Sequence, residues 1–139
     1  MAYMNQERKA ARAAKIKEIC KRYGIKATLS VRNHSTLVLT VKSGPIDFIG
    51  NSNRVCGGSF YQVQRGFRPN TTGYMDVNPY WYQDHFDGEA REFLREAIAA
   101  LYGDDYFDES DAQVDYFHTS HYIDINIGRW DRPYVLESV

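Results

Sequence analysis

The segment 87–102 carries the most constraining pattern in the sequence. Its apolar residues recur every three or four positions and predict a helix with one buried face: Ala90, Phe93, Leu94, Ala97, Ile98 and Leu101. Asp87 is a favourable N-cap residue, and Gly103 is a favourable residue for ending the helix. A helix with a continuous apolar face must pack against a sheet or another helix, so the chain is expected to form a layered domain.

A second helix is predicted over residues 5–23. Alanine, lysine, arginine and glutamate, which favour helices, dominate this segment. One apolar row follows helical spacing and consists of Ala13, Ile16, Ile19, Cys20 and Tyr23. Gly24 then stands where a helix commonly ends, so the helix is expected to stop there.

Short strands are predicted from alternation and from β-branched content. Residues 27–32 and 36–42 flank a short polar connection and are expected to form an antiparallel hairpin. Residues 74–78 and 122–127 alternate apolar and polar side chains, which is typical of half-buried strands. Residues 134–136 are expected to pair weakly near the end of the chain.

Residues 49–73 are predicted to be a long irregular excursion. The stretch is rich in glycine, asparagine, serine and threonine, and long segments without regular structure are often functional. A short strand around Phe60, Tyr61 and Val63 is expected within it. The element order is helix, strand, strand, irregular segment, strand, helix, strand. It predicts a single α+β domain over residues 1–139, with two main helices on a mostly antiparallel sheet.

The composition excludes several classes of protein. Hydrophobic residues make up 43% and charged residues 25% of the 139 residues, as in globular rather than disordered chains. No apolar run is long enough for a membrane span, and no secretion signal is visible. Cys20 and Cys56 are too few for a disulfide scaffold, so a cytoplasmic protein without membrane association is expected.

The net charge of −1 conceals an asymmetric distribution. Residues 1–72 carry a net charge of +10, whereas residues 73–139 carry −11. Either the two halves face each other and neutralise one another within one fold, or they present one basic and one acidic surface to partners.

Basic residues of the first half form a candidate nucleic-acid surface. On the first helix, Arg8, Arg12, Lys15 and Arg22 fall near one face, opposite the apolar row. Further along the chain, the irregular excursion carries Arg65 and Arg68 beside aromatic residues, a combination that suits single strands. The alternative interpretation is an ordinary solvated helix face next to a mobile loop.

An acidic segment forms a second candidate surface. Its carboxylates follow closely on one another: Asp104, Asp105, Asp108, Glu109, Asp111 and Asp115. Their spacing does not fit a calcium-binding loop. Two interpretations stay open, a solvated acidic loop above buried aromatic rings and a ridge that imitates nucleic-acid phosphates and binds a basic groove on another protein.

No catalytic motif is recognised, so the protein is expected to be neither an enzyme nor a cofactor-binding protein. His118 and His121 are the most ligand-like pair, with Asp111 and Asp115 just upstream. Their segment looks strand-like, and residues three apart on a strand point to opposite faces. The two histidines are therefore expected to hydrogen-bond loop groups rather than to hold a metal. Cys56 could be exposed, but it has no recognisable partner base.

Three consecutive aromatic residues, Tyr80, Trp81 and Tyr82, precede the helix predicted at 87–102. Three adjacent side chains at this place cannot all point into the core. At least one of them is therefore expected at the surface, where Tyr and Trp serve as binding anchors.

Two stretches of the chain resemble proteins of mobile genetic elements. Residues 15–48 resemble the large polyvalent protein associated domain of type 29 in a helix with Lys15-Ile16-Lys17, Tyr23-Gly24-Ile25-Lys26, a Ser30-Val31-Arg32 strand, a β-rich strand over 36–42, and Ser43-Gly44-Pro45. The C-terminal motifs are similar to the end of phage, prophage and plasmid proteins. They are Tyr106-Phe107-Asp108, Ser110-Asp111, Asp115-Tyr116-Phe117, His121-Tyr122-Ile123, Gly128-Arg129-Trp130 and Pro133-Tyr134.

The resemblance implies a mobile-element origin and supplies no catalytic residues. Proteins of this neighbourhood are suspected of helping an incoming element to survive host restriction or CRISPR systems. The expected function is therefore that of a small phage or mobile-element accessory protein in the host cytoplasm. It would bind a host defence or nucleic-acid-handling protein stoichiometrically. The alternative is a nucleic-acid-binding module that uses the basic N-terminal helix and loop.

Overall fold

A mixed sheet with helices packed on it forms the fold, and the predicted α+β class is confirmed. The computed structural model describes residues 4–103 and 121–137. Within these ranges the strands are β1 (Lys26–Arg32), β2 (Thr36–Gly44), β3 (Met75–Val77), β4 (Tyr122–Ile127) and β5 (Val135–Leu136). The helices are α1 (Gln6–Tyr23), α2 (Phe48–Gly57), α3 (Phe60–Gln64), α4 (Tyr82–His85) and α5 (Gly88–Tyr102).

The strands lie in the order β1-β2-β4-β3, and β5 pairs with β2 beyond the end of β4. The predicted hairpin of β1 and β2 turns at Asn33 and His34, whose φ values of 55° and 57° fit a type I′ turn. β3 is antiparallel to β4, but β4 and β5 run parallel to β2. The sheet is therefore mixed rather than mostly antiparallel. A parallel pair requires a crossover connection, and α5 lies in the crossover from β2 to β4.

Residues 48–64, expected to be irregular, are largely helical. The Asp47 carboxylate accepts a hydrogen bond from the Gly50 amide and caps α2, and Ser59 caps α3. α2 buries one row of side chains, Phe48, Ser52 and Cys56, at intervals of four residues. Two of these three are small, so the row lacks the strong apolar period of α5. The strand expected around Phe60 is thus the short helix α3.

The core lies between the helices and one face of the sheet. Leu37, Leu39 and Val41 of β2 and Ile125 and Ile127 of β4 are fully buried on this face. They belong to one hydrophobic cluster with the apolar rows of α1 and α5. Both helices end as predicted, α1 at a left-handed Gly24 and α5 at Gly103. No helix of the described ranges is long and apolar enough to cross a membrane.

The other face of the sheet is polar. Thr28 and Ser30 of β1 are exposed there, and Thr40 of β2 and Asn126 of β4 are half-buried. An ion pair crosses this face, because the Arg32 guanidinium lies 2.9 Å from the Asp124 carboxylate, two strands away. We call this surface the open face.

Candidate functional site

Exposed aromatic and apolar side chains cluster on α3. Phe60 is 78% exposed and Val63 is 55% exposed, and their spacing of three residues puts them on one side of the helix. Tyr61 is also exposed and is held by Arg65. The Arg65 guanidinium donates to the Tyr61 hydroxyl at 2.7 Å and lies 5.2 Å from the ring centroid. α3 therefore presents a preformed set of contact groups.

The segment before α4 presents two further rings. The Asn78 side-chain oxygen accepts hydrogen bonds from the Tyr80 amide at 2.8 Å and from the Trp81 amide at 3.3 Å, which fixes the turn. Tyr80 is 74% exposed and Trp81 is 60% exposed. Tyr82, the third predicted anchor, is buried in the core, because the helical turn that begins there rotates its side chain inward.

One side-chain contact joins α3 to α4. Nε2 of Gln62 is 3.5 Å from Nε2 of His85, and Trp81 precedes His85 by one helical turn. Both helices also contact α2. We call the exposed side chains of this corner, Phe60, Tyr61, Val63, Tyr80 and Trp81, the aromatic surface.

The corner is attached firmly to α5 through Asp87. The Asn51 amide donates to the Asp87 carboxylate at 2.8 Å, its oxygen accepts from the Asp87 amide at 3.0 Å, and Arg54 forms an ion pair with the same carboxylate. The Arg54 guanidinium, and after it Asn51, hold the pKa of Asp87 below its usual range. Asp87 makes no capping bond to its own helix, because its carboxylate is engaged by α2.

The loop that follows α3 is tied back to α2. Asn53 accepts from the Asn70 amide at 2.7 Å and donates to the Asn70 carbonyl at 2.9 Å. The side chain of Asn70 also orders the turn at Thr72. The aromatic surface therefore rests on a hydrogen-bonded frame, and a partner would meet it without a large ordering cost.

The composition of this region carries a signal that patterning missed. Residues 48–86 contain no lysine, no glutamate and no alanine, and their charged side chains are three arginines and two aspartates. Protein interfaces are enriched in aromatic residues and arginine and depleted in lysine and glutamate. A scan for local depletion of Lys and Glu would therefore have singled out this region.

The predicted basic face of α1 is largely absent. Arg12 is only 4% exposed and binds the end of α5, where it donates to the Leu101 carbonyl at 3.0 Å and to the Tyr102 carbonyl at 2.8 Å. A guanidinium suits this place because the last carbonyls of a helix carry partial negative charge. The pair that Arg22 makes with Glu96 has an N–O distance of 2.6 Å, and Lys15 lies 3.9 Å from Glu18.

His121 belongs to the same structural cluster at the end of α5. It is fully buried, with Nε2 2.9 Å from the Leu101 carbonyl and Nδ1 3.5 Å from the guanidinium of Arg8. No group of three metal-ligating side chains occurs within residues 4–103 and 121–137. His118 and the acidic segment, Asp104, Asp105, Asp108, Glu109, Asp111 and Asp115, lie outside the described residues.

The remaining predicted site residues have simple outcomes. Arg65 and Arg68 are exposed beside the aromatic surface, as the sequence suggested. Cys56, considered as an exposed thiol, is buried beside Ser52. Cys20 is buried as well, and burial raises the pKa of its thiol. Neither thiol is therefore placed or activated as a nucleophile.

Comparison with protein-family models, with curated proteins and with solved structures finds no match to this chain.

Proposed function

We propose that the protein acts by stoichiometric binding to another protein, and that the aromatic surface is the contact region. The observation that carries this proposal is the exposure of Phe60 and Val63 on one side of α3, together with the exposure of Trp81 before α4, the helix that Gln62 of α3 contacts. Burial of a Phe or a Val side chain contributes roughly 1.5–3 kcal/mol. Phe, Tyr, Trp and Arg together form the usual centre of a protein interface.

The chemistry of the surface favours a protein over a nucleic acid at this site. Single-stranded nucleic acids are bound by flat rings and cations, and an aliphatic residue such as Val63 adds little to stacking. Of the nearby cations, Arg54 is paired with Asp87 and Arg65 is stacked on Tyr61. Arg68 at the edge suits a partner whose rim carries carboxylates.

The nucleic-acid alternative on α1 loses most of its support. Arg12 is buried against α5 and Arg22 pairs with Glu96, so two of the four predicted contacts on α1 are engaged within the fold. We therefore place the protein-binding proposal first.

The partner class comes from the resemblance. On the basis of the motifs that resemble the large polyvalent protein associated domain of type 29 and phage and plasmid proteins, the protein is proposed to be a mobile-element accessory protein. Its proposed partner is a host defence or nucleic-acid-handling protein, met in the host cytoplasm. In this proposal the protein inhibits by occupancy and performs no catalysis.

The test compares single alanine variants in a capture experiment. Tagged protein is incubated with lysate of a bacterial host, and captured proteins are quantified by mass spectrometry. The partner is then purified and titrated by calorimetry. We expect a one-to-one complex that W81A and F60A each weaken by about 10- to 100-fold, as for interface hot spots. The control Y122A removes a half-exposed ring from β4 and should bind as the unchanged protein does.

The variants should remain folded, because exposed substitutions change stability by about 0.5 kcal/mol or less. The proposal is wrong if every captured protein binds W81A, F60A and Y122A equally well. It is also wrong if light scattering shows a homodimer that W81A dissociates, because the surface would then be a contact between copies of this chain.

A further inference from the structure

A second candidate site lies where β4 leaves the sheet. β2 pairs with β4 up to Val41 and Ile127, and it then pairs with β5 at Ser43 and Gly44. The chain between Ile127 and Val135 leaves the sheet and returns to it, so a gap opens over the end of β2. The carboxyl ends of the parallel strands β2 and β4 meet here, a common location for ligand sites in open sheets.

The connection that borders this gap is held rigidly. Gly128 has a φ of +70°, and a Cβ atom there would lie 2.5 Å from the Tyr134 amide nitrogen, so the turn requires glycine. Two backbone hydrogen bonds between Arg129 and Arg132, of 2.8 and 3.1 Å, close the next turn. The Tyr134 hydroxyl donates to the Ile46 carbonyl at 2.7 Å, and its ring packs edge-on against Phe48.

The gap forms a cavity of about 270 Å³, which we call the β2 cavity. Its polar lining consists of Thr40, Lys42, Ser43, Arg129, Arg132 and Glu137. The three cations outnumber the single carboxylate. Glu137 already faces Lys26 at 3.6 Å, and Arg129 lies 3.4 Å from Asp131. Counted with these two partners, the site keeps a net charge of +2.

Two cations and two hydroxyl groups of the β2 cavity are available to a ligand. Within the described residues, Lys42 and Arg132 form no ion pair, and Thr40 and Ser43 make no side-chain hydrogen bond. Guanidinium, ammonium and hydroxyl groups are the usual donors to a tetrahedral phosphate. The volume is at the low end for ligand pockets, which suits a phosphate with its sugar better than a large cofactor.

An exposed aromatic ring lies in the same turn as the two arginines of the cavity. Trp130 is 77% exposed and occupies the tight turn between Arg129 and Arg132, whose side chains line the cavity. Bases stack on exposed aromatic rings while neighbouring cations hold the backbone, and each stacked base contributes about 1–3 kcal/mol. We propose that the β2 cavity holds a nucleotide phosphate through Lys42 and Arg132, and that Trp130 stacks on the base.

The ligand chemistry has two sources, a free mononucleotide and one unit of a single strand. This site is separate from the aromatic surface, so the result here is independent of the proposed function. The test titrates thymidine monophosphate and a labelled oligothymidylate in separate arms. W81F leaves Trp130 as the sole tryptophan, and quenching of its fluorescence by either ligand is expected.

Charge removal then tests the phosphate contacts. K42Q/R132Q is expected to weaken binding at least about tenfold and to flatten the slope of log affinity against log salt by about 0.7 for each lost contact. The matched control K17Q/R91Q removes the same charges from α1 and α5 and should bind normally. K42R/R132K keeps the charges and should retain most of the affinity, so a loss caused by misfolding is recognised.

Three outcomes would overturn the proposal. It is wrong if neither ligand binds at low salt, or if K42Q/R132Q and K17Q/R91Q weaken binding equally. It is also wrong if polyglutamate competes as well as oligothymidylate at equal charge. A difference between the two arms identifies the source, because tighter binding of the strand indicates nucleic acid and equal binding indicates a free nucleotide.

Discussion

Replacement of Arg12 by methionine should destabilise the fold far more than its sequence position among surface cations suggests. The Arg12 side chain donates to the Leu101 and Tyr102 carbonyls at the end of α5 and to the Arg8 carbonyl of its own helix. A hydrogen bond from a charged donor contributes about 1.5–3 kcal/mol, and a buried carbonyl left without a partner costs about 1–3 kcal/mol. R12M keeps most of the apolar volume, so the loss of the two bonds to α5 predicts about 3–4 kcal/mol of destabilisation.

Urea unfolding followed by circular dichroism measures this loss. With a slope near 2 kcal/mol per M, 3–4 kcal/mol corresponds to a midpoint lower by about 1.5–2 M, and the slope itself should not change. A lysine at position 12 can reach fewer carbonyls, so the urea midpoint of R12K should lie between those of the unchanged protein and R12M. K15M removes an exposed cation one turn away and should shift the midpoint by less than about 0.3 M. A midpoint for R12M within 0.5 M of that for K15M (about 1 kcal/mol) would refute the capping role.

The other predictions concern acid stability and one turn. Arg22 donates a hydrogen bond to the Glu96 carboxylate and thereby lowers the pKa of Glu96. The pair stabilises the fold above the ordinary carboxylate pKa, and this stabilisation is lost as pH falls through the lowered value. E96Q should therefore reduce stability at pH 7. It should also make the fall of the urea midpoint between about pH 5 and pH 3 less steep, and an unchanged pH dependence contradicts this. G128A should cost at least about 2 kcal/mol in thermal unfolding because its Cβ meets the Tyr134 amide, whereas G66A, with positive φ in open space, should cost only about 1 kcal/mol. Equal costs would mean that the contact with Tyr134 relaxes freely.

Much of the fold could be predicted because its main elements bury long apolar rows. α5 buries Ala90, Phe93 and Leu94 with three further residues, and this period is visible in the sequence. The alternation of apolar and polar residues in β4 is also visible in the sequence. α2 could not be predicted from an apolar period, because its buried row includes Ser52 and Cys56. Two glycines and two asparagines among its ten residues also disfavour a helix. α2 is stabilised locally by the Asp47 cap and, through tertiary contacts, by the burial of Phe48 in the core.

The pairing of β2 with β4 was equally hidden. Alternation reports which side chains share a face, but it says nothing about which strand lies beside which or in what direction. Only the passage of α5 across the sheet decides that β4 enters parallel to β2.

The site residues also divide into features that local spacing predicts and features that tertiary contacts decide. Arg12 lies four residues before Ile16 and seven before Ile19, so helical spacing already placed it on the buried row. Its charge led to the opposite prediction, since a buried arginine requires partners that only the end of α5 supplies. The exposure of Trp81 followed from the crowding of three adjacent rings, but which of them turns inward depends on where α4 begins.

The division of charge between the two halves of the chain has a structural explanation within the fold. Among the described residues, the ion pairs between distant parts of the sequence are Arg22–Glu96, Lys26–Glu137, Arg32–Asp124 and Arg54–Asp87. Each joins a cation of residues 1–72 to a carboxylate of residues 73–139. All four are at least partly exposed, so each contributes little to stability.

That all four ion pairs join the two halves of the chain matters more than the strength of each pair. Opposite charges favour contacts between the two halves, so the asymmetry helps to specify how the halves meet. Other cations of the described residues form no ion pair and lie on several elements. Lys42 and Arg132 at the β2 cavity are two of them among the described residues. Anion binding is proposed at Lys42 and Arg132 because both line one cavity. An excess of positive charge in one half of the chain does not by itself indicate a binding site.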